Sequence, residues 1–464
     1  MAIRHDVRIR SCRLYFLPVV NRVPLKFGHE TVTGVTCARA MVEVEGRTGG
    51  RAVGWGETPL NASWVWPSEL SYAERDAALR KFCRALARAL PFSEERGHAM
   101  EVGHLFIEHG LPRLWHDFNA GRDGAEPLPW LAALTDYSAF DIALHDAYAT
   151  LHGKFVYETY GREFMNRDLA WYFGDGDEGK FDGVFPGDFF TPMAKTLPAW
   201  HLVGGRDALV ADDLRGDEPD DDYPVTLEDW IRRDKLTCLK VKLSGNDADA
   251  DYRRLSRVGE IGEAGGAGWL CADFNCTVEK PSYVVDILDR LETERPGLYE
   301  RILYLEQPFP YDLRRHMTDV RSVSEKKPLL MDESAHDWKH VRLGKELGWT
   351  GAALKTCKTQ TGALLSLCWA KAHGMPVMVQ DLTNPMLAQI PHVLLAAHAG
   401  TLRGVETNAM QFYPEASAAE RRVHPGLYVR RDGCVNLASV GTTGFGYRLD
   451  EIGRMLPQAE DVSN

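Results

Sequence analysis

The chain contains no apolar run approaching the length of a membrane span, and no apolar signal-peptide core follows its opening residues, Met-Ala-Ile-Arg-His-Asp-Val-Arg. These absences point away from a membrane partner and lead to the expectation of a cytoplasmic protein. Cysteine is sparse: nine residues, at positions 12, 37, 83, 238, 271, 276, 357, 368 and 434, form no CxxC pair. That excludes a disulfide framework or a zinc ribbon and reads as reduced thiols. A basic surplus is also missing, since 54 Lys and Arg face 66 Asp and Glu for a net charge of -12, which argues against nucleic-acid binding. No low-complexity segment is visible, and no repeat beyond a strand–helix period.

What is present is enough for a large core: 464 residues with 44% hydrophobic content suggest two domains. The stretch Leu-Thr-Cys-Leu-Lys-Val-Lys-Leu, 236–243, reads as a strand, and its two-residue alternation puts Lys240 and Lys242 on one face. Alone, such a pair describes a solvated edge. The segments downstream change that reading, because each is an apolar run that ends on a charge: Trp-Leu-Cys-Ala-Asp273, Ile-Leu-Tyr-Leu-Glu306, Pro-Leu-Leu-Met-Asp332, Gly-Ala-Ala-Leu-Lys355, Met-Pro-Val-Met-Val-Gln-Asp381 and Gly-Val-Glu406. From Lys240 to Glu406 the charged positions are 33, 33, 26, 23, 26 and 25 residues apart, each step the length of one strand, one helix and two short loops. Between them, segments such as 252–261 carry helical spacing, with Tyr252, Leu255, Val258 and Ile261 three apart. Alternating strands and helices predict a parallel (β/α) barrel whose strand C-termini converge on one mouth.

Three carboxylates and at least three lysines then share one cleft, a costly arrangement unless something binds there. Asp273, Glu306 and Asp332 offer oxygen ligands only, without histidine or cysteine, which suits a hard divalent cation: Mg²⁺, with Mn²⁺ as a substitute.

Lys240-x-Lys242, Asp273-x-Asn275, Glu306-x-Pro308, Asp332-Glu333 and Leu354-Lys355-x-x-Lys358 together resemble the barrel motifs of the enolase superfamily, in its muconate lactonizing enzyme-like branch within the mandelate racemase/muconate lactonizing enzyme family. Ser138 to Ala147 and Leu151 to Tyr157 are similar to the helix and linker through which the family's cap passes into its barrel, and the resemblance covers most of residues 20–415. It implies a modified TIM barrel, (β/α)7β-like, with an N-terminal α+β cap completed by the C-terminal segment. The corresponding division is 1–150 for the cap, 151–415 for the barrel and 416–464 for the returning segment.

The resemblance also implies abstraction of a proton α to a substrate carboxylate, giving an enediolate stabilised by the metal. Asp273, Glu306 and Asp332 would be the metal ligands. Lys242 and Lys355 would face opposite sides of the α-carbon, one as base and the other as acid or charge stabiliser, with Lys240 near the substrate carboxylate and Lys242. Asn275, Glu333, Lys358, Asp381 and Glu406 are candidate supporting or substrate-binding residues. In relatives a loop closes over the mouth from the cap, which makes Lys26 and Phe27, in Asn21 to Gly28, candidate specificity contacts. The partner implied is a small-molecule carboxylate, and a homo-oligomer is expected.

Two segments depart from the family pattern. Val379 to Pro385 lacks the residues common at the seventh strand, and Glu406-Thr-Asn408 stands where dipeptide epimerases tend to carry Asp-x-Asp. The activity expected is that of a racemase, epimerase or cycloisomerase. A dehydratase using the same enolate, with Asp381 or His201 as acid, is the alternative, and a non-catalytic barrel holding an acidic ligand is the alternative of another class.

Elsewhere, residues 6–57 predict a three-stranded meander with Asn21 to Gly28 as a loop. Trp64 and Trp66 either stack on substrate or pack the cap. Ala73 to Leu90 and Leu131 to His152 predict helices, the second with Asp136 as a possible cap and with Asp141 and Asp146 as structural acids. Asp168 to Gly174 and Leu197 to Gly204 both look like strands, of which one opens the barrel. The Asp-rich stretches within 176–225 read as solvated loops of an insertion, and Leu427 to Leu437 as a hairpin turning at Asp432-Gly433.

Overall fold

The computed structural model describes residues 2–27, 30–174 and 179–463. The first sheet is antiparallel. Strands β1 (Val7–Phe27), β2 (Glu30–Gly46) and β3 (Arg51–Pro59) form the expected meander, and β13 (Asp461–Ser463) pairs with the outer side of β1, so the end of the chain returns to this sheet. The segment from Asn21 is strand rather than loop: β1 continues to Phe27, opposite Glu30, after a register shift between Val20 and Leu25. The long-range partner β2 overrides a local composition rich in turn residues. The backbones of Lys26 and Phe27 pair with Thr31 and Glu30, whereas their side chains lie outside the described residues.

The helix Tyr72–Ala89, opened by a Ser71–Glu74 capping box, and the helix Trp130–Leu151 pack on the meander. The second is buried around almost its whole circumference, because β3 covers one side and the barrel another. Pro129, not Asp136, precedes its first residue. Asp136 sits seven positions along with both carboxylate oxygens buried and accepting from no backbone amide among the described residues, so it does not cap the helix.

The second sheet runs β10-β9-β8-β7-β6-β5-β4-β11, parallel throughout. Its strands are β4 (Thr196–Val203), β5 (Cys238–Lys242), β6 (Trp269–Asp273), β7 (Ile302–Glu306), β8 (Leu329–Met331), β9 (Gly351–Leu354), β10 (Val377–Val379) and β11 (Val405–Glu406). Helical crossovers join successive strands, and the Leu402 amide donates to the Val377 carbonyl at 2.9 Å where the ends of the sheet approach. This is the parallel (β/α) barrel expected from the periodicity, nearly closed, and the modified TIM barrel that the resemblance implies.

The barrel opens with β4. Leu169–Phe173 is instead a short helix, with Asp168 accepting from the Trp171 amide and Gly174 at φ 71° closing it. The predicted hairpin at 427–437 is reduced to one bridge, Arg431 to Cys434, around Asp432 and Gly433. β12 (Cys434–Asn436) pairs antiparallel with β4, which offers a free edge at its start. The acidic loop after β4 is tied to the cap by Arg22, whose guanidinium holds both Asp221 oxygens at 2.6 and 2.8 Å.

Candidate active site

Side chains alternate in and out along each barrel strand, so those pointing inward form layers. Trp200, Cys238, Cys271, Tyr304, Leu330 and Met378 fill one buried layer. Two residues farther along the same strands stand Leu202, Lys240, Asp273, Glu306, Asp332 and Gln380, the layer below the mouth. Lys355 extends the ring from β9, and Lys242 rises one step higher on β5. The cysteines of these strands are packing, as their placement below the charges requires.

The charges are drawn into a network. Lys240 Nζ lies 3.0 Å from Asp273 Oδ2, 2.6 Å from Glu306 Oε1 and 2.9 Å from Glu406 Oε2. Lys242 Nζ donates to the same Asp273 oxygen at 2.6 Å and to Asn275 Oδ1 at 2.7 Å. Across the barrel, Lys355 Nζ is 3.2 Å from Asp332 Oδ2 and donates to the Asp381 carbonyl at 2.9 Å. Lys358 holds both the carbonyl of Asp332 and its Oδ1. Since β5 and β9 are four strands apart in the sheet, Lys242 and Lys355 occupy opposite walls.

Electrostatics follow from this crowding. Burial and the neighbouring Asp273 and Asp332 carboxylates push Glu306 well above the usual acid range, against Lys240. Burial alone would raise Asp273 and Asp332 too, but Lys240 and Lys242 hold the first well below its ordinary value, and Lys355 and Lys358 lower the second. Burial works to discharge Lys240, and the surrounding Asp273, Glu306 and Glu406 reverse that and keep it protonated.

The donor set fits a hard divalent cation in kind: three buried carboxylates from adjacent strands, oxygen only, whose mutual repulsion at Glu306 is what a dication relieves. Among the described residues no three acidic, histidine or cysteine side chains meet as a ready-made metal cluster. The lysine ammoniums lie between the carboxylates, so a cation would take these oxygens in competition with Lys240 and Lys242.

Supporting residues sort into several groups. Asn275 donates to Glu333 Oε1 at 3.0 Å, and the other Glu333 oxygen is buried with no hydrogen-bond partner among the described residues. Glu406 and Asp381 both fasten to Asn408, whose amide side chain reaches Glu406 Oε1 at 2.7 Å and Asp381 Oδ1 at 3.2 Å. His201 faces Trp230 on the outer side of β4 and is kept neutral by burial, away from the inner ring.

Two contributors, Gln380 and Gln307, were not singled out as site residues from sequence, and a third, Trp64, was left between stacking on substrate and packing the cap. Gln380 donates to Glu306 Oε2 at 2.5 Å and to the Tyr304 hydroxyl at 3.2 Å. Gln307, at φ 32°, accepts from the Asp332 amide at 2.7 Å and from the Ser334 hydroxyl, fixing the turn that presents Asp332. Trp64 reaches the mouth from the cap, while Trp66 stays inside the cap against Glu126 and Arg122. The only local cue was position: Gln380 follows an apolar strand, as the acids do, and Gln307 follows one directly.

A cavity of about 330 Å³ opens at Lys242 and Asn275 and is walled by Ser244, Arg254 and Thr277. Beside it, meeting at Gly205, a second of about 390 Å³ lies over the end of β4 between Trp230, Gln411 and the Arg22–Pro24 segment of β1.

Residues 223–452 match the family model described as enolase C-terminal domain-like. The chain belongs to the enolase superfamily. As a superfamily member it is an enzyme, and the mandelate racemase/muconate lactonizing proteins among its structural neighbours resemble it in fold. Solved structures similar to this superfamily member include an N-succinyl Arg/Lys racemase from Bacillus cereus ATCC 14579, at 14% identity and TM-score 0.61 over 98% of this chain and 100% of that one. An L-Ala-D/L-Glu epimerase from Bacillus subtilis aligns at 17% identity and TM-score 0.59 over 95% and 98%. A muconate lactonizing enzyme from Pseudomonas fluorescens aligns at 15% identity and TM-score 0.57 over 95% and 96%. At these identities the likeness is one of fold. No curated protein matches the sequence.

Proposed function

We propose that this protein abstracts the proton α to the carboxylate of a small-molecule substrate, as a racemase, epimerase or cycloisomerase that depends on Mg²⁺. The observation that supports this best is the placement of Lys242 and Lys355 on opposite walls with Asp273, Glu306 and Asp332 on the three strands between. Such a frame can remove a proton from one face of a carbon and return it to the other. Asp273, Glu306 and Asp332 would hold the cation, which supplies positive charge to the substrate carboxylate as negative charge develops on it. Lys240, buried and charged, adds to the same field from below, while Lys358 and Gln307 keep Asp332 turned inward. The remote part of the substrate would extend into the cavities over β4 and β5.

The same enolate would serve a dehydratase, but Asp381 spends both oxygens on Asn408 and neighbouring amides, and His201, which lines the cavity over the end of β4, is held uncharged by burial and has no imidazolium proton to give as an acid, so the isomerase reading is favoured. The test is proton NMR in D₂O with Mg²⁺, screening pools of N-acylamino acids, dipeptides, hydroxy acids and sugar acids for loss of the α-proton signal. Asp273→Asn is expected to weaken Mg²⁺ binding, and Lys242→Ala to spare substrate binding while abolishing exchange from one face. Exchange that survives in both variants would sink the assignment, and a keto-acid product would redirect it to a lyase.

A further inference from the structure

Trp64 lies in the short helical turn Ala62–Val65 that follows β3, and it is nearly buried at 5% exposure. Its ring faces Lys355 Nζ at 5.2 Å and Lys358 Nζ at 5.6 Å, within the range of a cation–π contact. Its indole Nε1–H donates to Glu333 Oε1 at 3.1 Å. The same oxygen accepts from Asn275 Nδ2 at 3.0 Å, and Asn275 Oδ1 accepts from Lys242 Nζ at 2.7 Å. One cap side chain is therefore in contact with one wall's lysine and connected through two residues to the other's.

We propose that Trp64 is a positioning residue that sets both proton-carrying lysines, so that the cap takes part in proton transfer and not only in covering the mouth. This rests on the reaction proposed above. A lysine ends in a flexible four-carbon stem, and its ammonium needs fixed partners to stay in line with a reacting carbon. Asp273 and Asp332, the acidic partners of Lys242 and Lys355, are also the carboxylates assigned to the cation. Asn275 and the Trp64 ring are assigned to nothing else, so they, with the Asp381 carbonyl on Lys355, are contacts that hold the ammoniums whatever the carboxylates hold. Glu333 is the junction: it takes the indole and the Asn275 amide on one oxygen and orients that amide with its carbonyl toward Lys242.

The relay divides the effects of two substitutions. Trp64→Phe keeps a ring face for Lys355 and deletes the N–H, whereas Trp64→Leu deletes both. On the substrate found by the exchange screen, each enantiomer is measured separately, and Lys242→Ala and Lys355→Ala identify which face each lysine serves. Trp64→Phe should lower kcat about 10- to 100-fold for exchange from the Lys242 face, with KM and the opposite face little changed. Trp64→Leu should lower both faces, and Asn275→Ala, which leaves the indole in place, should reproduce the one-sided loss.

A rise in KM at unchanged kcat on both faces would overturn the inference, because it would make Trp64 a wall of the substrate pocket. A readout free of catalysis accompanies this. In protein labelled with ¹⁵N at the indole, without substrate or metal, the Trp64 signal, identified by its absence in Trp64→Phe, should move on Glu333→Ala. A signal that stays in place overturns the relay. Failure of the wild type to exchange any substrate would instead remove the proposed function, with the indole signal still reporting on the relay.

Discussion

Glu306 is the residue whose environment is hardest to balance. It is fully buried between two other carboxylates, and besides Lys240 its donors are the Gln380 amide at 2.5 Å and, more distantly, the Cys271 thiol at 4.0 Å. Residues that orient metal ligands in this way commonly matter about 10- to 100-fold in metal affinity. Gln380→Leu is therefore expected to weaken Mg²⁺ binding by about that factor, read by titration calorimetry, and to destabilise the fold by about 1–3 kcal/mol through the unsatisfied carboxylate. Unchanged Mg²⁺ affinity would show that Lys240 alone orients Glu306. At this scale the charged ring was legible because alternation along strands is local and each charge closes an apolar run. Gln380 and Gln307 were not, and Trp64 was left between two roles, because an amide or an indole carries no signal of its own, and the partner lies 74, 25 and 269 positions away, respectively.

Between elements, β3 approaches the helix Trp130–Leu151 with no room for a side chain. A Cβ built on Gly54 would stand 2.0 Å from the Ala147 amide nitrogen and 2.3 Å from the Ala143 carbonyl oxygen, and one on Gly56 would stand 2.1 Å from the Ala139 carbonyl oxygen. Glycines two apart on a strand thus face alanines four apart on a helix, backbone against backbone. Gly56→Ala is expected to push the two elements apart and cost about 1–3 kcal/mol in urea unfolding. A neutral result would mean that the helix slides without penalty. Helices and strands of ordinary length were readable from periodicity, and seven barrel strands followed, the first being left open between Asp168 to Gly174 and Leu197 to Gly204. Short or composite elements were not: five residues at Leu169–Phe173 satisfy both periods, and only their Asp and Gly boundaries distinguish a helix. The far half of β1 owes its extended form to pairing with β2 across a bulge, a long-range effect that turn-like residues conceal.

Across the whole molecule, cap and barrel are joined at the start of the helix Gln360–Ala372, two residues past Lys358. Asp141 accepts from the Thr361 amide and hydroxyl, both at 2.8 Å. His145 Nε2 lies 2.9 Å from the Thr361 hydroxyl, and its Nδ1 lies 2.8 Å from the Tyr160 hydroxyl. With Thr361 donating to Asp141, the imidazole is the donor to Thr361 and the acceptor from Tyr160, which is the neutral form. Asp146, one residue on, receives the amides of Trp55 from the cap and Phe445 from the returning C-terminal segment. Burial lowers the His145 pKa from 6.5 to about 3. The unfolded chain therefore binds a proton that the folded one refuses between those values. This residue's contribution to stability is complete above the unfolded value and is lost as pH falls toward the folded one. From about pH 7.5 to about pH 5 the loss amounts to about 2 kcal/mol. Asp141 and Asp146, raised by burial to about 6 and about 7, act in the opposite direction, since they favour the folded state as they take up protons. The His145 share is isolated by difference: His145→Asn should be less stable than the wild type near pH 7.5, and the gap should shrink by about 2 kcal/mol near pH 5 in urea unfolding. A gap that stays constant between the two conditions would mean that the imidazole at this junction accepts a proton in the folded state.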